Sequence, residues 1–186
     1  MPLVPTAIDG LWVIEWVSHH DDRGFFRQTY QLGELAQALG REPVWRQGNH
    51  ARSRSGVLRG FHAEPWDKCV YVARGTAMAA VADVRPESPT FGEVATFHLG
   101  DPPGDRLRLF IARGLSNAYC TYGEAEVEYL YDVTEEYRPV DRNAIAWDDP
   151  DLAVSWPVDD PIISDADRGN PTLRERFPNH PRFAGP

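Results

Sequence analysis

The chain has 186 residues, 42% hydrophobic and 25% charged, the profile of a single soluble-type globular domain over residues 1–186 with room for a sizeable core. A formal net charge of −9, with no basic stripe carrying interleaved aromatics, argues against nucleic acid as a partner. No apolar run nears the ~20 residues of a membrane span and Met1-Pro-Leu-Val-Pro has no leader pattern, so we expect no membrane partner, a cytoplasmic setting and reduced Cys69 and Cys120.

In chain order, Gly10 to Val17 reads as a strand, and Phe25 to Tyr30 as another. Leu32, Leu35, Ala36 and Leu39 then repeat at helical spacing, which predicts one short helix over 32–39. Strand-like runs follow at Val57–Phe61, Cys69–Ala73, Ala77–Val84, Glu93–Leu99, Leu107–Ile111, Asn117–Tyr122 and Glu126–Val133. Turns rich in Pro and Gly separate them, as in Arg85-Pro-Glu-Ser-Pro89-Thr-Phe-Gly92 and Asp101-Pro-Pro-Gly104. This is an antiparallel all-β pattern of sandwich or small-barrel type. Beyond Trp156-Pro157 the chain turns Asp- and Pro-rich, and a loose tail is expected from Arg174.

Chemistry concentrates between Gln47 and Lys68. Arg59 and His62 fall in one extended segment, where alternation sends them to opposite faces unless Gly60 bends or bulges the strand. Lys68 is the only lysine among nineteen basic residues. It suits a compact charge beside a developing oxyanion, or, alternatively, a solubilising lysine at a strand edge. The histidines lack the clustered spacing of a metal barrel, so neither metal nor cofactor is expected. Metal-free proton transfer remains. A proton next to a ketone, with a pKa of about 19, lies roughly 17 kcal/mol above an ordinary histidine, so a base needs an electrophile at the oxygen. His62 as base, Lys68 as electrophile, a phenol as acid and an orienting carboxylate from the late Asp-rich stretch form such a set.

Six segments in order, Asp22-Arg23-Gly24-Phe25-Phe26, Gln47-Gly48-Asn49-His50-Ala-Arg-Ser, Gly56-Val-Leu-Arg59-Gly-Phe-His62, Ser88-Pro-Thr-Phe-Gly92, Trp147-Asp-Asp-Pro-Asp-Leu and Ile163-Ser-Asp-Ala-Asp167, resemble the dTDP-4-dehydrorhamnose 3,5-epimerase family. The resemblance implies a metal-free cupin jelly roll with a loop-rich C-terminal extension, working as a homodimer on nucleotide-linked 4-keto-6-deoxy sugars. It implies His62 as base, Asp167 as its partner carboxylate and Lys68 near the C4 oxygen. Arg23 and Arg59 correspond to pyrophosphate contacts, Gln47 and Asn49 to the nucleotide and sugar pocket, and Phe26 to an aromatic near the base. The family's acid corresponds to Tyr131, with Tyr129 two residues earlier on the same face as the alternative.

Three departures bear on substrate. Asn117 replaces a pocket histidine, Gln28 stands for a glutamate in the base-binding region, and the loop between His62 and Lys68 is short. A monoepimerase or ketoisomerase on another sugar nucleotide, such as a GDP-linked one, and an inactive sugar-nucleotide binder are the alternative readings.

Overall fold

The computed structural model describes residues 2–101, 107–139 and 143–183, and the expected turn at Asp101–Gly104 lies, past Asp101, outside them. Strands β1 (Leu3–Pro5), β2 (Leu11–Glu15), β3 (His19–Asp21) and β4 (Gly24–Phe26) precede helix α1 (Leu32–Leu39). Then come β5 (Gln47–Ser53), β6 (Leu58–His62), β7 (Lys68–Arg74), β8 (Thr76–Asp83), β9 (Val94–Gly100), β10 (Leu107–Ile111), β11 (Leu115–Tyr122) and β12 (Val127–Val133). Two short helices, α2 (Asp165–Arg168) and α3 (Leu173–Arg176), close the chain with a 3-10 turn at Pro181–Phe183.

The strands form a six-stranded sheet, ordered β1-β2-β10-β7-β12-β5, and a four-stranded sheet, ordered β6-β11-β8-β9. All ladders are antiparallel, and the two sheets face each other as a jelly-roll barrel. Between them lies the main core, where Val70, Val72, Leu109 and Ile111 of one sheet meet Ala77, Ala79, Val81 and Leu115 of the other. Each sheet is covered outside as well. Leu35 of α1 packs with Ile14, Cys69 and Phe110 on the large sheet. Ile145, Leu152 and Leu173 of the C-terminal extension pack with Phe61, Ala80, Ala82 and Ala118 on the small one. Burial on both faces explains why residues 77–82 of β8 read as an unbroken apolar run, AMAAVA, instead of alternating. Small alanines also let the extension approach closely.

Helix α1 falls on the expected residues and ends at Gly40, whose φ of 67° makes the left-handed cap. The second expected strand is shorter than its apolar run suggests. β4 stops at Phe26 because it pairs only with β3, in a two-strand hairpin that joins neither sheet. The tail past Arg174 is also more ordered than expected. Thr172 and Glu175 cap α3 reciprocally, His180 stacks on Phe91 at 3.7 Å, and Arg182 Nη1 donates to the Phe91 carbonyl at 2.7 Å. The aromatics of a polar tail thus pin it.

The feature that decides the site is a bulge in β6. Asn117 pairs with His62 and Tyr119 with Arg59, so three steps along β6 oppose two along β11. The extra residue is absorbed at Gly60, with φ of 124°, where a Cβ would sit 2.5 Å from Ala118 Cβ and 2.7 Å from the Asn117 carbonyl oxygen. Leu58 and Phe61 consequently both pack outward against the extension, while Arg59 and His62 both face the barrel interior. Gly60→Ala should lower stability by about 2 kcal/mol or more, from a left-handed φ and a backbone overlap together, read as a shifted urea midpoint.

Candidate active site between the sheets

The cavity is laid out by strand register. Across β5, β12 and β7 the interior positions form rows, with Gln47 opposite Val133 opposite Lys68, and Asn49 opposite Tyr131 opposite Val70. Ala51 and Tyr129 make the next row. From the small sheet, His62 and Asn117 are directly paired and Arg59 is paired with Tyr119. All of these line one cavity of about 300 Å³. Within a chain of net charge −9, the cavity gathers Arg59, Lys68 and His62 against one acid, Glu64, a local balance that favours an anionic ligand.

Asp167 reaches His62 from the free edge of the small sheet, where β6 is the outermost strand. The C-terminal extension bonds along the start of β6, Leu58 N–H donating to the Ile162 carbonyl at 3.0 Å and Ile162 N–H to the Gly56 carbonyl at 2.7 Å. Ser164 then caps α2 by accepting from the Asp167 N–H. The Asp167 carboxylate lies 2.6 Å from His62 Nε2 through Oδ1, and its Oδ2 accepts from the bulged Gly60 N–H at 3.5 Å. Burial works against ionising Asp167, but the bonds from His62, Gly60 and Ser164 outweigh it and hold the carboxyl below its ordinary value. An anionic carboxylate only accepts hydrogen bonds, so Nε2 carries a proton, and in the neutral ring Nδ1 presents its lone pair.

Lys68, buried at the end of β7, places Nζ 2.5 Å from Asn117 Oδ1 and ion-pairs with Glu64. Arg59 Nε donates to Ser53 Oγ at 3.2 Å at the mouth. Gln47 donates to Asn49 Oδ1 at 2.7 Å while accepting from the Tyr137 N–H at 2.8 Å. On the opposite wall Tyr119 and Tyr129 stack with ring centroids 4.0 Å apart, and Tyr131 meets Tyr129 edge-on at 6.0 Å.

Thus His62, Lys68, Tyr131, Arg59, Gln47, Asn49 and Asn117 share the cavity, with Asp167 braced behind it. Arg23, Phe26 and Gln28 do not reach the cavity of their own chain. Arg23 is bound to Asp21 at the hairpin tip, Phe26 is 68% exposed, and Gln28 accepts from Gln31. The reason is the isolation of the β3–β4 hairpin from both sheets. Sequence reasoning missed Glu64, which lines the cavity from the coil just after β6, where no strand period signals its direction. Of the other motifs, Ser88-Pro-Thr-Phe-Gly92 is structural. Ser88 and Thr90 hydroxyls and the Arg85 guanidinium all donate to buried Asp83, which, despite burial, is held ionised below the usual carboxylate range. Asp149 of the Trp147 motif likewise fixes the extension by accepting from the Leu152 and Leu173 N–H groups.

A jelly-roll barrel whose inter-sheet cavity holds a histidine–aspartate pair, an ammonium and phenols on the facing wall defines a class, the cupin barrels equipped to move protons. The chain belongs to the dTDP-4-dehydrorhamnose 3,5-epimerase family, whose model matches residues 5–175. It is 36% identical over 178 residues to a dTDP-4-dehydrorhamnose 3,5-epimerase of Methanothermobacter thermautotrophicus, covering 92% of this chain and 94% of that one. It is 33% identical to a dTDP-4-dehydrorhamnose 3-epimerase of Streptomyces niveus, covering 94% and 85% of the two chains. Among solved structures, a 3'-monoepimerase of Streptomyces bikiniensis in complex with dTDP-quinovose superposes with a TM-score of 0.87 at 31% identity, covering 94% and 90%.

Because Asp167 is more acidic folded than unfolded, its stabilising effect is complete above its ordinary value of 3.8 and is lost as pH falls through the lower folded value. The melting-temperature gap between the wild type and Asp167→Asn should therefore be widest above about pH 4 and narrow in more acid buffer, as scanning calorimetry across that range would show.

Proposed function

We propose that the protein epimerises a nucleotide-linked 4-keto-6-deoxy sugar at C3, C5 or both, by proton removal next to the ketone and return from the other face. The observation that carries this reading is the 2.6 Å His62–Asp167 contact on one wall of a cavity whose facing wall holds Lys68 and Tyr131. His62 Nδ1 takes the proton, and Asp167 stabilises the imidazolium that forms. Lys68 attracts the negative charge developing on the C4 oxygen and so narrows the gap between a carbon acid and an imidazole. Tyr131, from the opposite sheet, returns a proton to the opposite face, so the geometry of two facing sheets becomes the stereochemistry of inversion.

Arg59 at the mouth is placed for the diphosphate, with Gln47, Asn49 and Asn117 around the sugar. At about 300 Å³ the cavity accommodates a sugar, leaving the nucleoside outside the mouth. A second copy accounts for the stranded hairpin. Phe25 and Phe26, 56% and 68% exposed, are large apolar groups on an unpaired ribbon, and a homodimer in which each hairpin covers its partner's cavity mouth would bring Arg23, Phe26 and Gln28 to the nucleotide. The free, buried thiols of Cys69 and Cys120 support a cytoplasmic setting.

In heavy water with a thymidine-linked 4-keto-6-deoxy sugar, proton NMR should show deuterium entering C3 or C5. His62→Ala should cut that rate on the order of 10³-fold while nucleoside diphosphate still binds, and an active variant refutes the base. Arg59→Ala should weaken nucleoside diphosphate binding by about tenfold or more, measured by calorimetry. For the dimer, neither Arg23→Ala nor His62→Ala alone should turn over well, yet mixed and re-equilibrated subunits should recover activity, because one of the two mixed sites is intact. Unrecovered activity in a confirmed mixed dimer assigns the hairpin to its own chain.

A further inference from the structure

The ammonium of Lys68 is fully occupied. Its Nζ lies 2.5 Å from Asn117 Oδ1 and 3.4 Å from the His62 carbonyl oxygen, and it ion-pairs with Glu64. An ammonium has three N–H donors, and at least three oxygens lie around it. A ketone oxygen can gain a bond from Lys68 only by displacing one of them. The His62 carbonyl is fixed in β6, and Asn117 is held in β11 opposite His62 and Val81. Glu64 lies beyond the end of β6, in the segment leading to β7. It is also the acceptor that chemistry requires to move, since a carboxylate left beside a forming enolate sets two negative charges together.

A second polar group lines the same cavity and feels the charge of Glu64. The Tyr129 hydroxyl is buried, lines the cavity and has no hydrogen-bond partner among the described residues. Burial, then the neighbouring Tyr119, Tyr131 and Glu64, push its pKa well above the ordinary phenol value, so it remains a donor at neutral pH. A buried donor without an acceptor is costly, and a displaced Glu64 carboxylate is the acceptor it lacks.

We propose that Glu64 is the substrate-reading residue of this cavity, exchanging its bond to Lys68 for a hydroxyl on the carbon next to the ketone. The ketone oxygen takes the N–H that Glu64 gives up, the sugar hydroxyl donates to the carboxylate, and Tyr129 donates to it as well. Each donor then has an acceptor, and the ammonium, parted from Glu64, recovers a negative partner as charge develops on the ketone oxygen. A sugar lacking that hydroxyl must break the Lys68–Glu64 pair without replacing it. The class selected is therefore the 3-hydroxy-4-keto sugars, against their 3-deoxy counterparts. This rests on the reading of the site as a 4-keto sugar epimerase.

The test compares a thymidine-linked 4-keto sugar bearing the 3-hydroxyl with its 3-deoxy counterpart, measuring kcat and KM for deuterium entry at C5. Glu64→Gln keeps an oxygen for Lys68 but lacks the charge. It should lower the 3-hydroxy over 3-deoxy ratio of kcat/KM by about tenfold or more, with the 3-deoxy sugar gaining in absolute rate because the weakened pair is easier to displace. Tyr129→Phe should lower kcat/KM for the 3-hydroxy sugar more than for the 3-deoxy one. An unchanged ratio in Glu64→Gln, or equal losses on both sugars, overturns the role of Glu64 while leaving the epimerase reading intact. A wild type that incorporates no deuterium from either sugar overturns the epimerase reading and this inference with it. Should Glu64→Gln fail to fold, a crystal structure of the wild type with the 3-hydroxy sugar decides. A Lys68–Glu64 contact that survives beside the bound ketone refutes the exchange, and one replaced by sugar contacts supports it.

Discussion

The site depends on one extra residue in one strand. In a regular β6, Arg59 and His62 would lie on opposite faces, and the cavity could hold the guanidinium or the imidazole but not both. The bulge at Gly60 resolves this, and its freed N–H turns toward the Asp167 carboxylate. Backbone irregularity and His62–Asp167 pair are therefore one construction. The residue that re-aims the imidazole also helps to hold the group that orients it. Neither half works without the C-terminal extension, which brings Asp167 from 105 residues away and is itself fixed by Asp149, by the bridge from Val57 to Ile162 and by aromatic packing on Phe91.

This explains the share of polar residues buried in what would otherwise be an apolar barrel. Asp83, Asp149 and Asp167 are all nearly inaccessible, and each is satisfied by several donors. The first two fix turns and the last fixes the histidine. They are held by the same physics, in which convergent hydrogen bonds replace water, so burial and acidity alone do not separate a structural aspartate from a functional one. What separates Asp167 is its partner, an imidazole that lines an open cavity.

The same distinction sets what could be read from the sequence. Helix α1 and strands β7 to β12 were legible because their side chains obey a period, apolar where they meet a core. β5 carries no such signal, since its inward positions, Gln47, Asn49 and Ala51, face the cavity and its outward ones are Gly48, His50 and Arg52, so polar residues occupy both faces. A strand that lines a binding site looks like a loop for that reason. His62, Lys68 and Gly60 were legible from residue type and spacing, and Asp167 only from family resemblance, because no local pattern links residues so far apart. Arg23, Phe26 and Gln28 were attributed to the pocket by that resemblance, which is silent on whose pocket it is. One chain's geometry places them outside its own cavity.

The departures from the family pattern become coherent once they are seen together in the cavity. Asn117 is not an isolated loss of an imidazole, because its carboxamide oxygen is one of the acceptors around Lys68. The short loop after His62 is not a mere deletion, since it places Glu64 as another. A second imidazole at position 117 would compete for the role of base or add positive charge beside the ammonium. A carboxamide does neither, and a carboxylate offsets the charge that Lys68 brings into the barrel. The cavity thus holds one imidazole, steadied by Asp167, and its remaining polar groups include carboxamides, phenols and the charged groups Arg59, Lys68 and Glu64. Such a division would leave the His62–Asp167 pair undisturbed by changes in the neutral and acidic groups around Lys68, which are the ones that differ from the family pattern.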